Sequence, residues 1–335
     1  MMVELEVLKD KEVWDELLTL SSHATIFHEW EWLKIAEKHS KWAFYPLVCF
    51  KGMEPVFVLP TFYKKLKTLN LIFSPPPGLA IPYLGPLIPN DASLKRSIVE
   101  HNYRSSLKAI SEFLDSFNAD YTRIFTPPNF SDVRPFKWNG FTAEPFYSYA
   151  IDLGRSREEL WMSIEKKLRQ NVKKAKRQNF EIYEGGVREL KEVVKLVNKR
   201  YDEQNRKADV NLEYLEDIYR AFRENVRVVV VEKDGEIITG IIDLVYRDCV
   251  SSWIGNPKVS VAGTYPNDLL NWHVIEKAHE EGFRRYEIIG ANTERLTEFK
   301  VRYNPDTMLY FLLSKKNLKA TLANGIYSFL GGYLK

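Results

Sequence analysis

The chain has 335 residues, which is too long for one small core and suits either two domains or one large α/β unit. Hydrophobic residues make up 45% of it and charged residues 28%, a composition typical of a globular protein and not of a disordered one. The 48 lysines and arginines nearly balance the 45 acidic residues, and the resulting net charge of +3 argues against a dedicated non-specific nucleic-acid binder, so any basic surface is local.

The first half of the chain predicts a helix, a hairpin and a second helix that leads into a strand. WEWLKIAEKH (30–39) has helical spacing, and two strands follow it, AFYPLVCF and PVFVLPTFY, joined by a turn at Lys51-Gly52. Later, the helix SLKRSIVEHNYRSSLKAISEFLDSF precedes the strand YTRIF. The intervening loop, SPPPGLAIPYLGPLIPN, is rich in proline and glycine, and we expect it either to cap the sheet or to line a groove with Tyr83.

The second half repeats this order. NLEYLEDIYRAFREN is helical, and the strands VRVVVVEK and EIITGIIDLVY flank Asp234-Gly235, a strong hairpin signal. NDLLNWHVIEKAHEEG then leads to the strand RRYEII. The repetition predicts a tandem duplication of two α/β subdomains with mixed sheets (α+β in character), joined by FYSYAIDLG (146–154), and it disfavours a pure doubly wound sheet.

A run of cations, KKLRQNVKKAKRQNF (166–180), carries no acidic residue. Ser156 and Glu159 form a capping box that predicts where the helix begins. An apolar stripe then predicts one long amphipathic helix, formed by Trp161, Ile164, Leu168, Val172 and Ala175. Unrelieved repulsion among the cations favours an anionic partner, bound by Arg169, Lys173, Lys174 and Asn171, and the alternative is an ordinary solvated helix face.

Several kinds of chemistry lack their motifs in this sequence. There is no phosphate-binding P-loop, dinucleotide-binding glycine motif, nucleophile elbow or paired-histidine metal motif, so we expect no metal. Cys49 and Cys249 lie far apart in apolar runs and are predicted to be buried, inert thiols in a reducing compartment. No signal peptide is visible, and no apolar run approaches the roughly 20 residues of a membrane span, so the expected location is cytoplasmic.

The order of five segments resembles the FemABX-like branch of the GNAT superfamily, the peptidoglycan-bridge aminoacyltransferases and their relatives. These segments are ATIFHEWEWL, PPPGLAIPYLGPL, LRQNVKKAKRQNFEIYEG, SSWIGN with YPNDLLNWHVIEKAHEEGFRRYEIIG, and TEFKVRYNPD, and they span residues 25–313. The resemblance implies two tandem GNAT-like subdomains packed side by side, at 1–150 and 151–315, with a groove near their junction. Residues 316–335 are predicted to form a helical tail that either packs on the body or makes a peripheral membrane contact.

The resemblance further implies an acyl- or aminoacyltransferase that forms an amide on an amine-bearing, phosphorylated acceptor by direct attack in a ternary complex. Its acyl donor, aminoacyl-tRNA or acyl-CoA, would be a co-substrate, with no tightly bound cofactor. The first alternative is an acetyl-CoA-dependent N-acetyltransferase with a degenerate CoA turn, because NPKVSVAGTYPND holds one glycine and no pyrophosphate motif. The second is a non-catalytic module that binds RNA or an anionic surface.

Candidate site residues follow from the same resemblance. The segment Phe299-Lys300-x-x-Tyr303 holds two candidates. Lys300 is expected to stabilise an oxyanion or bind phosphate, and the alternative is a surface lysine. Tyr303 either assists the transfer or packs in the core. Asp268, beside Asn267, either orients the amine or caps its helix. Trp30 and Trp253 are either groove walls or buried residues.

Overall fold

The computed structural model describes residues 2–90, 94–205 and 211–322. The chain divides into two compact units. The first unit takes the described residues of 1–77, 81–146 and 309–335, and the second takes those of 78–80 and 147–308. The chain passes from one unit to the other within β6 (Thr142–Asp152) and within β12 (Asp306–Lys316), and also on either side of residues 78–80.

The first unit is a mixed sheet with helices. Its strand order is β1-β2-β3-β4-β5-β12, and only the pair β4 and β5 is parallel among the pairs formed by neighbours in this order. The helix α3 connects the two parallel strands. The elements are β1 (Val3–Val7), α1 (Lys11–Thr19), α2 (Trp30–Ser40), β2 (Ala43–Lys51), β3 (Glu54–Leu66), β4 (Leu69–Ser74), α3 (Arg96–Ser116), β5 (Tyr121–Phe125) and α4 (Arg134–Trp138), with a short 3-10 helix at Ile26–His28.

The second unit repeats this plan. Its strand order is β6-β11-β10-β9-β8-β7, and β10 and β11 form the parallel pair, connected by α9. The elements are α5 (Arg157–Ser163), α6 (Lys166–Ala175), β7 (Glu181–Gly185), α7 (Val187–Asp202), α8 (Leu212–Ala221), β8 (Val226–Lys233), β9 (Glu236–Tyr246), β10 (Cys249–Gly255), α9 (Pro266–Glu280), β11 (Arg285–Ile288) and α10 (Glu294–Lys300), followed by a 3-10 turn at Val301–Tyr303.

The shared plan confirms the predicted mixed α/β fold and its tandem repetition. The unit boundaries differ from the predicted ranges 1–150 and 151–315 because the closing strands are exchanged. The last strand, β12, pairs with β5 of the first unit, whereas β6 pairs with β11 of the second. Residues 309–315 therefore belong to the first unit although they follow the second in sequence.

Each unit has its own apolar core. In the first, α3 covers the sheet with Tyr103, Leu107 and Ile110. In the second, one face of the sheet packs against α6 and α9. Both cysteines are buried free thiols, as predicted, and burial raises the pKa of Cys49 to about 12.

The predicted single long helix after Ser156 is wrong, because the chain forms two helices there. The capping box is present: the Ser156 hydroxyl accepts from the Glu159 amide at 3.3 Å, and the Glu159 carboxylate accepts from the Ser156 amide at 2.9 Å. The first helix ends at Ser163, since Ile164 is extended with ψ 154° and is buried at 3% exposure. The apolar stripe itself is confirmed, with Leu168, Val172 and Ala175 fully buried.

The proline-rich loop at 74–90 is irregular, as predicted, but it does not expose Tyr83. That ring is 2% exposed and packs edge-on against Phe27 and Tyr310, with ring centroids 5.6 and 5.9 Å away. The expectation that Tyr83 lines a groove is therefore corrected to a core position. Most of the predicted C-terminal tail, 323–335, lies outside the described residues. In the ranges that are described, no helix is long and apolar enough to cross a membrane.

Candidate active site in the second unit

The parallel strands β10 and β11 pair over only part of their length. Pairing runs from Cys249 opposite Arg285 to Ser252 opposite Ile288. On its other side, β10 pairs with β9, and the register of that pairing shifts between Ser252 and Ile254. β10 continues to Gly255 without that partner. In α/β sheets, ligands bind beyond the carboxyl ends of such strands. The candidate site is therefore built from the residues around the ends of β10 and β11.

Gly255 ends β10 in a conformation that only glycine adopts readily. Its φ is +123°, and a Cβ there would lie 2.6 Å from the carbonyl oxygen of Gly240. The contact brings the end of β10 against β9, and the chain then turns into the connection to α9. The close approach of the two strand backbones at Gly255 could not be predicted from the presence of a glycine in the sequence.

Lys300 lies at the end of α10, and its side chain turns back to the loop that follows β11. The ammonium group donates to the carbonyl oxygens of Ile289 and Gly290. Burial lowers the pKa of Lys300 to about 8, while the negative charge of Glu287 acts in the opposite direction. Lys300 is thus a half-buried cation anchored by two carbonyls, and not the surface lysine of the alternative interpretation. Its role in transfer remains a prediction.

Glu287 is a buried acid that the sequence interpretation missed. It lies on β11 with 5% exposure, and its carboxylate accepts from the hydroxyls of Ser148 at 3.1 Å and Ser251 at 3.3 Å. The amide of Gly290 donates to the same Ser148 hydroxyl at 3.4 Å. The only signal was an acidic residue inside the otherwise strand-like RRYEII. Glu287 gives the site a negative group close enough to favour the charged form of Lys300.

Asp268 is held in a buried polar cluster with Asn171 and Arg302. The Asn171 side chain donates to its carboxylate at 2.7 Å, and the Arg302 guanidinium donates to both carboxylate oxygens at 3.3 and 3.2 Å. Helix capping does not account for Asp268, because α9 begins at Pro266 with Tyr265 at the N-cap. Its carboxylate oxygens are thus already bonded within the protein.

Tyr303 is fully buried next to this cluster. Burial raises the pKa of Tyr303, the charge of Asp268 adds to that shift, and Arg302 and Asn271 act in the opposite direction. The ring packs in the core of the second unit, and Phe299 contacts it edge-on at 5.9 Å. Tyr303 therefore occupies a core position, which is the second of the two predicted alternatives.

Asn267 fixes the connection between β10 and α9. Its side-chain amide donates to Thr239, Asn256 and Pro257, and its carbonyl accepts from the amide of Val259 at 2.8 Å. This connection is where a GNAT enzyme would be expected to bind pyrophosphate. In this chain the side-chain donor and acceptor of Asn267 are both engaged in hydrogen bonds within the connection.

The predicted anion-binding residues of α6 are largely engaged within the protein. The Arg169 guanidinium donates to the carbonyls of Met162, at 2.8 Å, and Ile164, which end α5. The Lys174 ammonium donates to the carbonyl of Gly263 at 3.0 Å, and that of Lys173 lies 6.0 Å from the centre of the Trp161 ring. Arg169 and Asn171 thus have structural partners, and the exposed cations of the run are Lys166, Lys167, Lys173, Lys174, Lys176 and Arg177.

The two predicted tryptophan walls are both half-buried. Trp253 belongs to the second unit, and its indole donates to the carbonyl of Ala80 at 2.7 Å. Trp30 belongs to the first unit and packs between the rings of Trp14 and Phe44 at 5.9 and 5.6 Å. Within the described ranges, no set of three His, Cys, Asp or Glu side chains is placed to hold a metal ion.

A second buried acid lies in the core behind the site. Asp243 on β9 is 1% exposed, and the Tyr286 hydroxyl donates to one of its oxygens at 3.0 Å. Its other oxygen has no hydrogen-bond partner among the described residues. Burial raises the pKa of Asp243 to about 7, with the Tyr286 bond and Arg227 opposing the shift.

This shift predicts that the protein loses stability as the pH rises. Because the pKa of Asp243 is raised from 3.8 to about 7 on folding, the stability that its proton contributes is fully present below pH 3.8 and is lost as the pH rises to about 7. At about 1.4 kcal/mol per pKa unit, the change is on the order of 4 kcal/mol. Asp243→Asn keeps an acceptor for Tyr286 and cannot ionise, so its unfolding free energy, measured by urea titration at pH 5 and pH 8, should fall less than that of the native chain.

The matched control is Asp234→Asn, in the exposed turn between β8 and β9, where asparagine also suits the positive φ of 53°. It should keep the pH dependence of the native chain. An Asp243→Asn protein with that same dependence would show that another group is responsible.

Comparisons with known proteins give one family-model match and several structural matches. Residues 163–301 match a family model described as an acetyltransferase (GNAT) domain. The fold resembles FemX at a TM-score of 0.69 and 12% identity, over 92% of this chain and 96% of that one. It also resembles L-PGS from Bacillus licheniformis, a lysyl-phosphatidylglycerol synthetase, at 0.57 and 13%, over 94% and 95%. A tandem GNAT protein of the clavulanic acid pathway matches at 0.54 and 10%, over 93% and 98%.

No curated protein sequence matches the chain significantly. The structural matches are distant in sequence and show the shared fold, whereas the family model assigns a GNAT domain to the second unit. The family model thus bears out the predicted GNAT resemblance for residues 163–301, and the structural matches show that the chain shares its fold with FemX.

Proposed function

We propose that the protein forms an amide by moving an acyl or aminoacyl group to an amine-bearing, phosphorylated acceptor. The observation that carries the proposal is Lys300, an anchored and half-buried cation beyond the end of β11, inside the matched GNAT domain. Acyl transfer develops negative charge on the carbonyl oxygen, and a fixed cation in a partly dry site stabilises that charge.

The proposed step is direct attack in a ternary complex. The amine nitrogen attacks the acyl carbon, the new C–N bond forms, and the C–O bond of an aminoacyl ester or the C–S bond of a thioester breaks. The amine loses a proton, and the leaving oxygen or sulfur gains one. Lys300 would bear the positive charge that offsets the oxyanion, and Glu287 favours the protonated form of Lys300.

The proposed acyl donor is an aminoacyl-tRNA. The network around Asn267 occupies the position expected of a CoA pyrophosphate turn, which weighs against acyl-CoA. The fold shared with FemX and with a lysyl-phosphatidylglycerol synthetase supports aminoacyl transfer. Acetyl-CoA is the second candidate, because the matched domain carries the description of an acetyltransferase.

Donor and acceptor are tested separately. Native mass spectrometry of freshly purified protein shows whether a donor or an anionic ligand is bound. Thermal unfolding with acetyl-CoA or with aminoacyl-tRNA then ranks the donors, since a ligand at about 100 times its Kd stabilises the fold by about 2.7 kcal/mol. We expect stabilisation by aminoacyl-tRNA.

The acceptors form a matched pair, phosphoethanolamine and ethanolamine, with amide formation measured by mass spectrometry. Faster acylation of phosphoethanolamine supports a phosphorylated acceptor. Acylation from acetyl-CoA alone would establish the second candidate. Absence of amide from both donors, in protein that each donor stabilises, would contradict the proposed reaction.

A further inference from the structure

Helices α3 and α4 of the first unit carry an exposed basic and aromatic surface. We call it the α3–α4 surface, and it consists of Arg96, His101, Arg104, Lys108, Arg134, Lys137 and Trp138, all of them exposed. A shallow depression runs along its α3 side, lined by Arg96, Glu100, His101, Arg104 and Lys108. None of these residues belongs to the candidate active site.

Trp138 is the unusual member of this surface. Its side chain is 55% exposed, whereas Phe136, two residues earlier on α4, is 1% exposed and packs against Phe141 at 5.4 Å. The short helix is thus anchored through Phe136, and Trp138 is left in water between two guanidinium groups. The Arg104 and Arg134 carbons lie 5.4 and 5.7 Å from the centre of its ring.

The charge of the α3–α4 surface is not neutralised locally. Its acids are Glu100 and Asp132, and both are bonded to arginines: Asp132 to Arg134 at 2.9 Å and to Arg96 at 2.5 Å, and Glu100 to Arg134 at 3.5 Å. Lys108 has no ion pair or hydrogen bond within the described residues, and Arg104 contacts only the Trp138 ring there. The α3–α4 surface therefore carries five lysines and arginines against these two acids, and the further acids of α3, Glu112 and Asp115, follow Lys108 at the end of the helix.

We propose that the α3–α4 surface binds an unpaired segment of RNA, independently of the chemistry proposed for Lys300. Phosphates would follow the cations of α3, where Arg96 and Lys108 are separated by about 18 Å at 1.5 Å per residue. A base would stack with Trp138 and its flanking arginines, since aromatic and guanidinium planes accept unpaired bases of any sequence.

The shape of the surface favours RNA over an anionic membrane. A membrane-docking face inserts several apolar side chains, and here a single aromatic ring lies between arginines. The cations form a line along one helix, which suits a linear polyanion more than a plane of headgroups. Charge complementarity thus favours the phosphate backbone of single-stranded RNA as the ligand.

Fluorescence anisotropy with a labelled 12-nucleotide RNA of mixed sequence tests the proposal on the full chain. Trp138→Ala should weaken binding by about tenfold, the loss of one base stack. Arg104→Glu with Lys108→Glu should weaken it further and flatten the dependence of log affinity on log salt by about 1.4, at 0.7 per lost phosphate contact. Circular dichroism checks that the variants are folded.

The control is Lys9→Glu with Lys65→Glu, two exposed lysines of the same unit without described partners, which imposes the same change in net charge. It should alter RNA affinity less than twofold. Equal weakening by this control would overturn the proposal in favour of general electrostatic attraction. Loss of binding to phosphatidylglycerol vesicles in the α3–α4 variants, with RNA binding unchanged, would overturn it in favour of a membrane. Lys300→Ala should bind the same RNA with native affinity, which separates the proposed RNA binding from the proposed reaction.

Discussion

Replacing Lys300 by alanine is expected to lower kcat/KM for amide formation by at least about 100-fold, the usual cost of losing one group that stabilises an oxyanion. The variant also frees the carbonyls of Ile289 and Gly290, so some stability is lost as well. Lys300→Arg separates the two effects because it keeps the positive charge. We expect kcat/KM of the native enzyme to fall as the pH rises through about 8, where Lys300 loses its proton, and that of Lys300→Arg to persist to higher pH.

Lys199→Ala on α7 is the matched control, because Lys199 is exposed and has no described partner in the same unit. It should retain native activity and native thermal stability. The assignment fails if folded Lys300→Ala transfers acyl groups at the native rate. It fails equally if Lys300→Arg has the same pH profile as the native enzyme, because another group then sets that profile.

Removing the Asp268 carboxylate is expected to destabilise the second unit by roughly 3 kcal/mol, because the Asn171 amide loses its acceptor and the Arg302 guanidinium loses one of its two acidic partners. The carboxylate is 3% exposed, and the Arg302 side chain that it bonds is 22% exposed. Asp268→Ala would therefore leave the amide of Asn171 without its acceptor and leave the Arg302 guanidinium with one acidic partner, Glu165, at 3.0 Å. Urea denaturation at pH 7, followed by circular dichroism, measures the loss.

An exposed ion pair supplies the control for this prediction. Glu192→Ala removes a carboxylate that is 42% exposed and pairs with Lys195 at 3.2 Å, and the loss should not exceed about 1 kcal/mol. The double variant Asp268→Leu with Arg302→Met should recover part of the stability, since it removes both of these charges and leaves only the exposed Glu165 without its partner. An Asp268→Ala protein of native stability and no activity would instead restore the predicted role of Asp268 in orienting the amine.

Local order along the chain is what the sequence by itself determined. The hairpin at Asp234-Gly235 follows from residues that adopt positive φ, and both do so here, at 53° and 81°. The capping box at Ser156 and the buried stripe of Leu168, Val172 and Ala175 depend on neighbours one turn apart. The repeated order of these elements was enough to indicate tandem mixed sheets, whereas the GNAT superfamily was suggested by the resemblance of five segments to a known family.

Partners distant in sequence were decided only by the tertiary structure. The same cationic run that suggested an anion site sends Arg169 to the carbonyls ending α5 and Asn171 to Asp268, 97 residues away. The exchange of β6 and β12 likewise depends on strand pairing between distant segments.

The chemistry of the site depends on tertiary structure for the same reason. The burial of a lysine cannot be read from the sequence. The pKa of Lys300 is lowered because folding buries its ammonium group against the loop after β11, where it donates to the carbonyl of Ile289. Glu287 lies within a strand-like sequence, and only the strand pairing brings the hydroxyls of Ser148 and Ser251 within hydrogen-bond distance of its carboxylate. Periodicity records which face of an element is apolar, whereas desolvation and charge pairing depend on the groups that folding brings to that face.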